Sequence, residues 1–466
     1  MSGEASPAGP LRVLILGGGF GGVYAALRLL KRRLRLPRPL ELTLVNRDNF
    51  FLFTPLLHEV AASDVDLTHI VSPLRKLLPG ARLFVGEVES IDLEGRSVIV
   101  SHADGGHLHD LEYDHLVLAL GSVPNFFGIP GVRERSLTMK SLADAIALRN
   151  RLIEVLEEAD FECALEQRSS FLTFVVVGGG FAGVETVAAV NDFLRHALRF
   201  YAHLDPSQLR VVLLHGGEEI LPELGPDLGS YARRTLRDRG VEVRLTTQVQ
   251  GVSDEGVILP DGTRVPALTV VWTAGSAPHP TVATLPCAEG GRVRVDEHLS
   301  VFDWPGVWAL GDCALVPDRR REGFHPPTAQ HALRQGKRVA DNILAGARGE
   351  RMRAFDYRTI GQLASIGRRT GVARLFGRNF SGFPAWWLWR TVYLAKLPRV
   401  ERKVRVALDW TLDLFFSKDL VQVKPLSERQ RATTERGIPE PAGAAPAEVG
   451  LRASDVPSTE AERGKA

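Results

Sequence analysis

Two sets of three glycines, each at a fixed spacing, are the residues of this chain best suited by type to hold a charged ligand. Gly17, Gly19 and Gly22 satisfy G-x-G-x-x-G, and Gly178, Gly180 and Gly183 repeat the pattern 161 residues later. In such a motif the first glycine makes a tight turn. The second lets the backbone approach a pyrophosphate, and the third lets the following helix pack closely on the strand before it. The pyrophosphate then meets free N–H groups at a helix N-terminus. Glu185 follows the second motif and is a carboxyl in the first turns of that helix. It reads either as a proton-handling group or as an acid favoured there by the helix dipole. The usual acidic residue at the end of the next strand is replaced by Asn46 in the first copy and His215 in the second. Either can hydrogen-bond a ribose, or serve as a plain polar strand end. His215 also removes the anion that would repel a 2′-phosphate, so both NADH and NADPH stay open.

These side chains need strands and helices to carry them. Apolar runs at Leu11–Leu16 and Phe171–Val177 precede the two motifs, and residues at helical spacing follow each. Further strands are expected at Leu40–Val45, Leu116–Leu120, Val211–Leu214, Val270–Thr273 and Val307–Leu310. Strands alternating with helices imply parallel α/β sheets, so the fold class is α/β with two dinucleotide-binding domains. The 161-residue period is far too long for a solenoid and fits two domain copies.

Composition narrows the choices. A chain of 466 residues, 44% hydrophobic, can bury several cores, and a net charge of +2 gives no global signal for nucleic acid. Its three cysteines, Cys163, Cys287 and Cys313, are far apart, which excludes a short-spaced redox dithiol and a cysteine metal site; no metal is expected. No uncharged apolar stretch is long enough to span a membrane, and the N-terminal segment has no signal-peptide pattern. From Arg351 to Arg405 there are 13 Lys plus Arg against two acids. Within that stretch Trp386, Trp389, Tyr393 and Leu397 fall at helical spacing, and Trp410, Leu414 and Phe415 form a second patch. This is expected to be an amphipathic helix lying on a membrane surface, the alternatives being packing onto the first domain or a dimer interface. Residues 427–466 read as a disordered tail.

Longer motifs make the chain resemble the type II NADH dehydrogenases, within the flavoproteins that carry two dinucleotide-binding domains. They are LILGGGFGG, NRDNFFLFTPLLHEVA (Asn46–Ala61), VVVGGGFAGVETV (Val175–Val187), WALGDCA (Trp308–Ala314), PPTAQHALRQG (Pro326–Gly336), FDYRTIGQLASIGRRTGVA (Phe355–Ala373) and AWWLWRTVYL (Ala385–Leu394). The resemblance spans about Leu11 to Val423. It implies Rossmann-like domains holding FAD and NAD(P)H: an FAD domain at 10–128 and 288–350, an NAD(P)H domain at 129–287, and a quinone- and membrane-associating region at 351–426. It implies that Gly17, Gly19, Phe20, Gly22, Asn46, Arg47, Thr54, Pro55, Val88, Gly121, Asp312, Ala329 and Gln330 line FAD. It implies that Gly178, Gly180, Gly183, His215 and Gly275 line NAD(P)H. Glu185, Gln330 and Gln335 take the catalytic positions, the two glutamines at the quinone site. A homodimer, peripheral attachment at the cytoplasmic face, and two-electron transfer to quinone without proton pumping follow from the same resemblance.

With no cysteine pair, electrons must leave the flavin for a diffusing acceptor. Two alternatives stand beside a quinone reductase. One is a related reductase of the sulfide:quinone or ferredoxin type, toward which Cys313 beside Asp312 points. The other is a flavin-binding redox sensor.

Overall fold

The computed structural model describes residues 9–102, 106–161 and 165–423. Two parallel sheets carry the two glycine motifs. In the first, five parallel strands run in the order Val307–Ala309, His115–Leu118, Leu11–Leu16, Leu40–Asn46 and Arg82–Asp92, and an antiparallel pair, Ser97–His102 and Leu108–Glu112, extends the edge. In the second, the order is Leu137–Thr138, Thr269–Trp272, Thr173–Val177, Arg210–Leu214 and Val241–Arg244, all parallel. The inner strands are continuous apolar runs because both faces are covered; on the second sheet the helix Phe181–Ala197 packs on one face and the antiparallel strands Gly251–Ser253, Gly256–Ile258 and Arg264–Pro266 on the other. The Val307–Ala309 strand completes the first sheet although it lies beyond the whole second sheet in sequence. The two excursions are tied by the short antiparallel pair Ser122–Pro124 and Ser276–Pro278. The expected strands are all present, with ends within two residues of their expected positions.

The helix Phe20–Arg32 leaves the first glycine turn and crosses the helix Ala329–Ala347 at close range. Glycine makes that possible: a Cβ on Gly336 would sit 2.1 Å from the Gly21 carbonyl oxygen. Arg28 and Arg32 reach Asp341 at 2.8 and 2.9 Å and fix the crossing.

The C-terminal region differs from its expected form. A three-stranded antiparallel sheet, Gly361–Ser365, Gly371–Leu375 and Arg378–Gly382, precedes the helices Phe383–Lys396 and Val400–Leu412. The aromatic face expected to meet lipid is turned inward. Trp389 and Leu397 are fully buried and Trp386 nearly so, while Tyr393 packs edge-on to Trp389 and Phe53. Three bulky aromatics on one face recover more free energy against a protein core and polar partners than at a wet interface. The following helix divides cleanly: Arg402, Val406 and Trp410 are buried, and Val400, Val404, Leu408 and Leu412 are exposed. The expected tail, 427–466, lies outside the described residues. Among the described residues no helix is long and apolar enough to cross a membrane.

Candidate active site

The two glycine turns are built alike. Gly17 and Gly178 have φ of +105° and +117°, where a side chain is strained. A Cβ on Gly22 or Gly183 would lie 1.9 or 1.8 Å from the carbonyl oxygen of its motif's first glycine. A Cβ on Gly19 or Gly180 meets no atom within 4 Å, so the middle glycines keep the helix ends open to a pyrophosphate. The strand-end residues are equivalent too. Asn46 Oδ1 accepts from the Gly18 amide at 2.7 Å, and His215 Nδ1 accepts from the Gly179 amide at 3.1 Å. Each locks its turn. His215 must therefore carry its proton on Nε2 in this arrangement.

The other cofactor positions gather at the carboxyl ends of the same strands, where open parallel sheets bind ligands. In the first domain these are Asn46, the exposed Arg47 and Gly121 after its strand; Val88 lies further along the Arg82–Asp92 strand. Asp312 follows Val307–Ala309, and its carboxylate accepts from Ser122 Oγ at 2.8 Å. Thr54 and Pro55 form a surface 3-10 turn. Phe20 packs on Phe51 and Phe53, beneath that segment. In the second domain Gly275 has a φ of +76°. The donor set and the open cradles fit two dinucleotides.

The glutamines sit differently from one another. Gln335 is buried, and its Oε1 accepts from the Gly311 amide at 2.8 Å, so it holds the loop that presents Asp312. Gln330, beside Ala329 at the helix start, accepts from the Tyr357 hydroxyl at 3.0 Å and is half-buried. Gln330 thus joins the Ala329–Ala347 helix to the C-terminal region, and Gln335 does not reach it.

Glu185 lies where three segments meet. Its Oε1 accepts from the Ser365 amide at 3.1 Å and from Trp389 Nε1 at 3.0 Å. Its Oε2 faces His58 Nδ1 at 3.8 Å, beyond hydrogen-bond reach. Burial drives the Glu185 carboxyl up to about 8 and the His58 imidazole down to about 3. At neutral pH both are therefore uncharged, and their proximity is not an ion pair. Among the described residues no donor reaches Oε2, which leaves that oxygen free to carry a proton. Next to His58, Glu59 accepts from Trp410 Nε1 at 2.6 Å, and burial raises its carboxyl too, against the pull of Arg390. The cavity of about 220 Å³ at this point is lined by His58, Glu59, Glu185 and Arg390.

Sequence reasoning marked Glu185 but missed His58 and Glu59, and missed the two tryptophans as carboxylate partners. The available signal was a His-Glu pair inside the apolar run LFTPLLHEVAA. Cys313 is buried, donates weakly to the Leu310 and Leu118 carbonyls, and is pushed up to about 11 by burial. It is a packed thiol and not a nucleophile. Among the described residues no cluster of acids, histidines and cysteines could hold a metal.

Two dinucleotide cradles in one chain, with no thiol pair among the described residues and a buried acid between the domains, define a pyridine nucleotide-dependent flavoprotein. The pyridine nucleotide-disulphide oxidoreductase family model matches residues 11–336, and an NDH2 C-terminal domain model matches residues 360–419. A type II NADH:quinone oxidoreductase of Mycobacterium tuberculosis is 34% identical over 425 residues, covering 88% of this chain and 89% of the relative. A demethylphylloquinone reductase of Synechocystis is 31% identical over 407 residues, covering 86% and 95%. The fold is shared with NDH2 of Plasmodium falciparum solved with NADH, at a TM-score of 0.81 and 19% identity over 88% of this chain and 99% of that one. The chain belongs to the pyridine nucleotide-disulphide oxidoreductase family, and within it to the type II NADH dehydrogenases.

Proposed function

We propose that this chain oxidises NADH and reduces a quinone, with FAD between them, and that it works against a membrane surface. FAD, when bound, accepts a hydride and passes two electrons onward. The chain's own residues do the rest. Gly17–Gly22 and Asp312 hold the flavin dinucleotide, and Gln335 keeps the Asp312 loop in place. Gly178–Gly183 and Gly275 hold the nicotinamide dinucleotide, with His215 fixing the turn. Burial favours a proton on Glu185 at neutral pH, against the pull of the two donors on its Oε1, which leave Oε2 to carry it. A buried acid with a value near the working pH is suited to proton transfer. The buried Glu185 carboxyl, held by the Ser365 amide and Trp389 Nε1 with no cysteine pair among the described residues, is the observation that carries the quinone assignment over a disulfide or sulfide substrate.

The membrane contact belongs to a different face from the one the aromatic spacing suggested. Val400, Val404, Leu408 and Leu412 recur every fourth residue and are 52–75% exposed. Phe415, Phe416 and Trp387 add to the exposed apolar surface. An apolar stripe of this kind, within a cationic region, suits an interfacial helix and an acceptor dissolved in lipid. Stopped-flow mixing tests the reaction. NADH should bleach the flavin, and a short-chain quinone should restore its colour within the turnover time. Bleaching without reoxidation by quinone would assign the chain to a sensor or to another acceptor.

A further inference from the structure

Reduction of a quinone by NADH needs a second proton. NADH supplies two electrons and one hydrogen; the quinol takes up two hydrogens, and the second comes from water. In this fold Glu185 is buried, so that proton needs a path. The cavity beside Glu185 continues past it. Its walls carry His58, Glu185, Glu59 and Arg390 together with Asp64, Lys418 and Arg368, the last 45% exposed, so the cavity joins the buried acids to the surface. A liquid water occupies about 30 Å³, so the cavity has room for several.

The chemistry of the wall asks for water. His58 is buried, yet among the described residues its Nε2 has no hydrogen-bond partner, and neither does Arg390 Nε. Lys418 Nζ pairs with Asp64 and donates to the Ala62 carbonyl at 3.1 Å. Glu59 is handled otherwise. A buried carboxylate kept for stability is paired directly with a cation. Among the described residues no cation lies in ion-pair contact with Glu59, although Arg390 lines the same cavity. The Arg390 guanidinium is instead stacked between Trp386 and Trp410, its carbon 4.1 and 4.7 Å from their ring centres. The charged groups facing Glu59 are Arg390 from one C-terminal helix, Asp64 from its own loop, Lys418 from the segment after the last helix, and Glu185. Trp389 donates to Glu185 and Trp410 to Glu59, with the two indoles 6.1 Å apart. One aromatic pair therefore suspends two carboxyls in the wall of one cavity.

We propose that this cavity is the proton-uptake route of the enzyme, and that Glu59 relays the water-derived proton from the Asp64–Lys418 pair, through water and past His58, to Glu185. No bond other than O–H is made or broken, and each relay group ends the cycle in its starting protonation state. The proposal rests on the quinone reaction above.

Glu59→Gln keeps an oxygen that can accept from Trp410 and removes the exchangeable proton. In the FAD-loaded protein, bleaching by NADH should proceed as in the unaltered chain. Reoxidation by quinone should slow on the order of 10-fold to 10²-fold. The loss should steepen as pH rises, with an enlarged solvent deuterium isotope effect, and acetate should restore part of the rate. Reoxidation at the original rate, with the original pH profile and isotope effect, overturns the proposal while leaving the quinone reaction intact. Failure of the unaltered protein to be reoxidised by quinone would instead defeat the underlying function. Infrared titration of the unaltered holoenzyme gives a readout independent of turnover, and stands even if the variant does not fold. It should show two protonated carboxyl bands that disappear between about pH 5 and 9, above the ordinary carboxyl range. Absence of both bands throughout that range also overturns the proposal.

Discussion

Replacing Glu185 with glutamine separates its structural role from its protonic one. The substituted side chain can still accept from the Ser365 amide and Trp389 Nε1 through its carbonyl oxygen, so the local packing survives. What it cannot do is ionise. The Glu185 carboxyl titrates at 4.5 when unfolded and at about 8 when folded, with burial as the main cause. Between those values the folded chain holds a proton that the unfolded chain has lost. Each pH unit in that interval therefore removes roughly 1.4 kcal/mol of stability. The contribution is fully present below about pH 4.5 and gone once the pH passes about 8. Across the whole interval the change is on the order of 5 kcal/mol. Glu185→Gln removes this proton's share of the slope. Guanidinium denaturation at several pH values, with FAD in excess, reads it directly. Near pH 5 the two proteins should be of similar stability, and at about pH 8.5 the variant should be more stable by several kcal/mol. Its quinone reduction should nonetheless fall, by on the order of 10²-fold. Parallel stability curves would refute the argument, since they would mean that Glu185 is ionised in the folded protein and cannot hold a proton at neutral pH.

Three other outcomes follow from particular contacts. Gln335→Leu leaves the Gly311 amide without its acceptor, at a cost of about 1–3 kcal/mol, and should weaken FAD retention about 10-fold or more in an apoprotein titration. His215→Asp keeps an acceptor for the Gly179 amide but adds an anion; the NADPH-to-NADH efficiency ratio should drop about 10-fold or more, measured by flavin bleaching. Val404→Asp with Leu408→Asp should cut binding to anionic vesicles by at least ~10²-fold in co-sedimentation, with NADH bleaching unchanged, whereas Trp386 and Trp389 substitutions should unfold the C-terminal region.

How far the sequence could be read depended on the range of the interaction involved. The glycine turns were legible because everything they need is local: a positive φ at Gly17, a helix packed on its own strand at Gly22, a partner at the next strand end. The strands were legible because buried parallel strands are continuous apolar runs, and Thr173–Val177 has no polar interruption beyond its first residue. The three-stranded C-terminal sheet was hidden, since Gly361–Ser365 is a short run of small and mixed residues whose pairing is decided by the turns between strands. The aromatic face was assigned to lipid, and found buried, for a more instructive reason. Helical spacing shows that Trp386, Trp389, Tyr393 and Leu397 share a side, but a stripe that seeks lipid and a stripe that seeks core have the same period.

That ambiguity was settled by something at long range that no spacing could reveal. Two indole N–H groups, at Trp389 and Trp410, needed acceptors, and two carboxyls, at Glu185 and Glu59, needed donors from 204 and 351 residues away. A tryptophan placed in lipid can leave its N–H at the headgroups, but a buried carboxyl cannot be left without a donor at tolerable cost. The inward turn of the aromatic face is thus dictated by the acids it serves. It follows that the two sides of the last helix serve different surroundings: Val404 and Leu408 are exposed on one, and Trp410 donates to Glu59 on the other. Any shift of that helix would act directly on the acid through a 2.6 Å hydrogen bond.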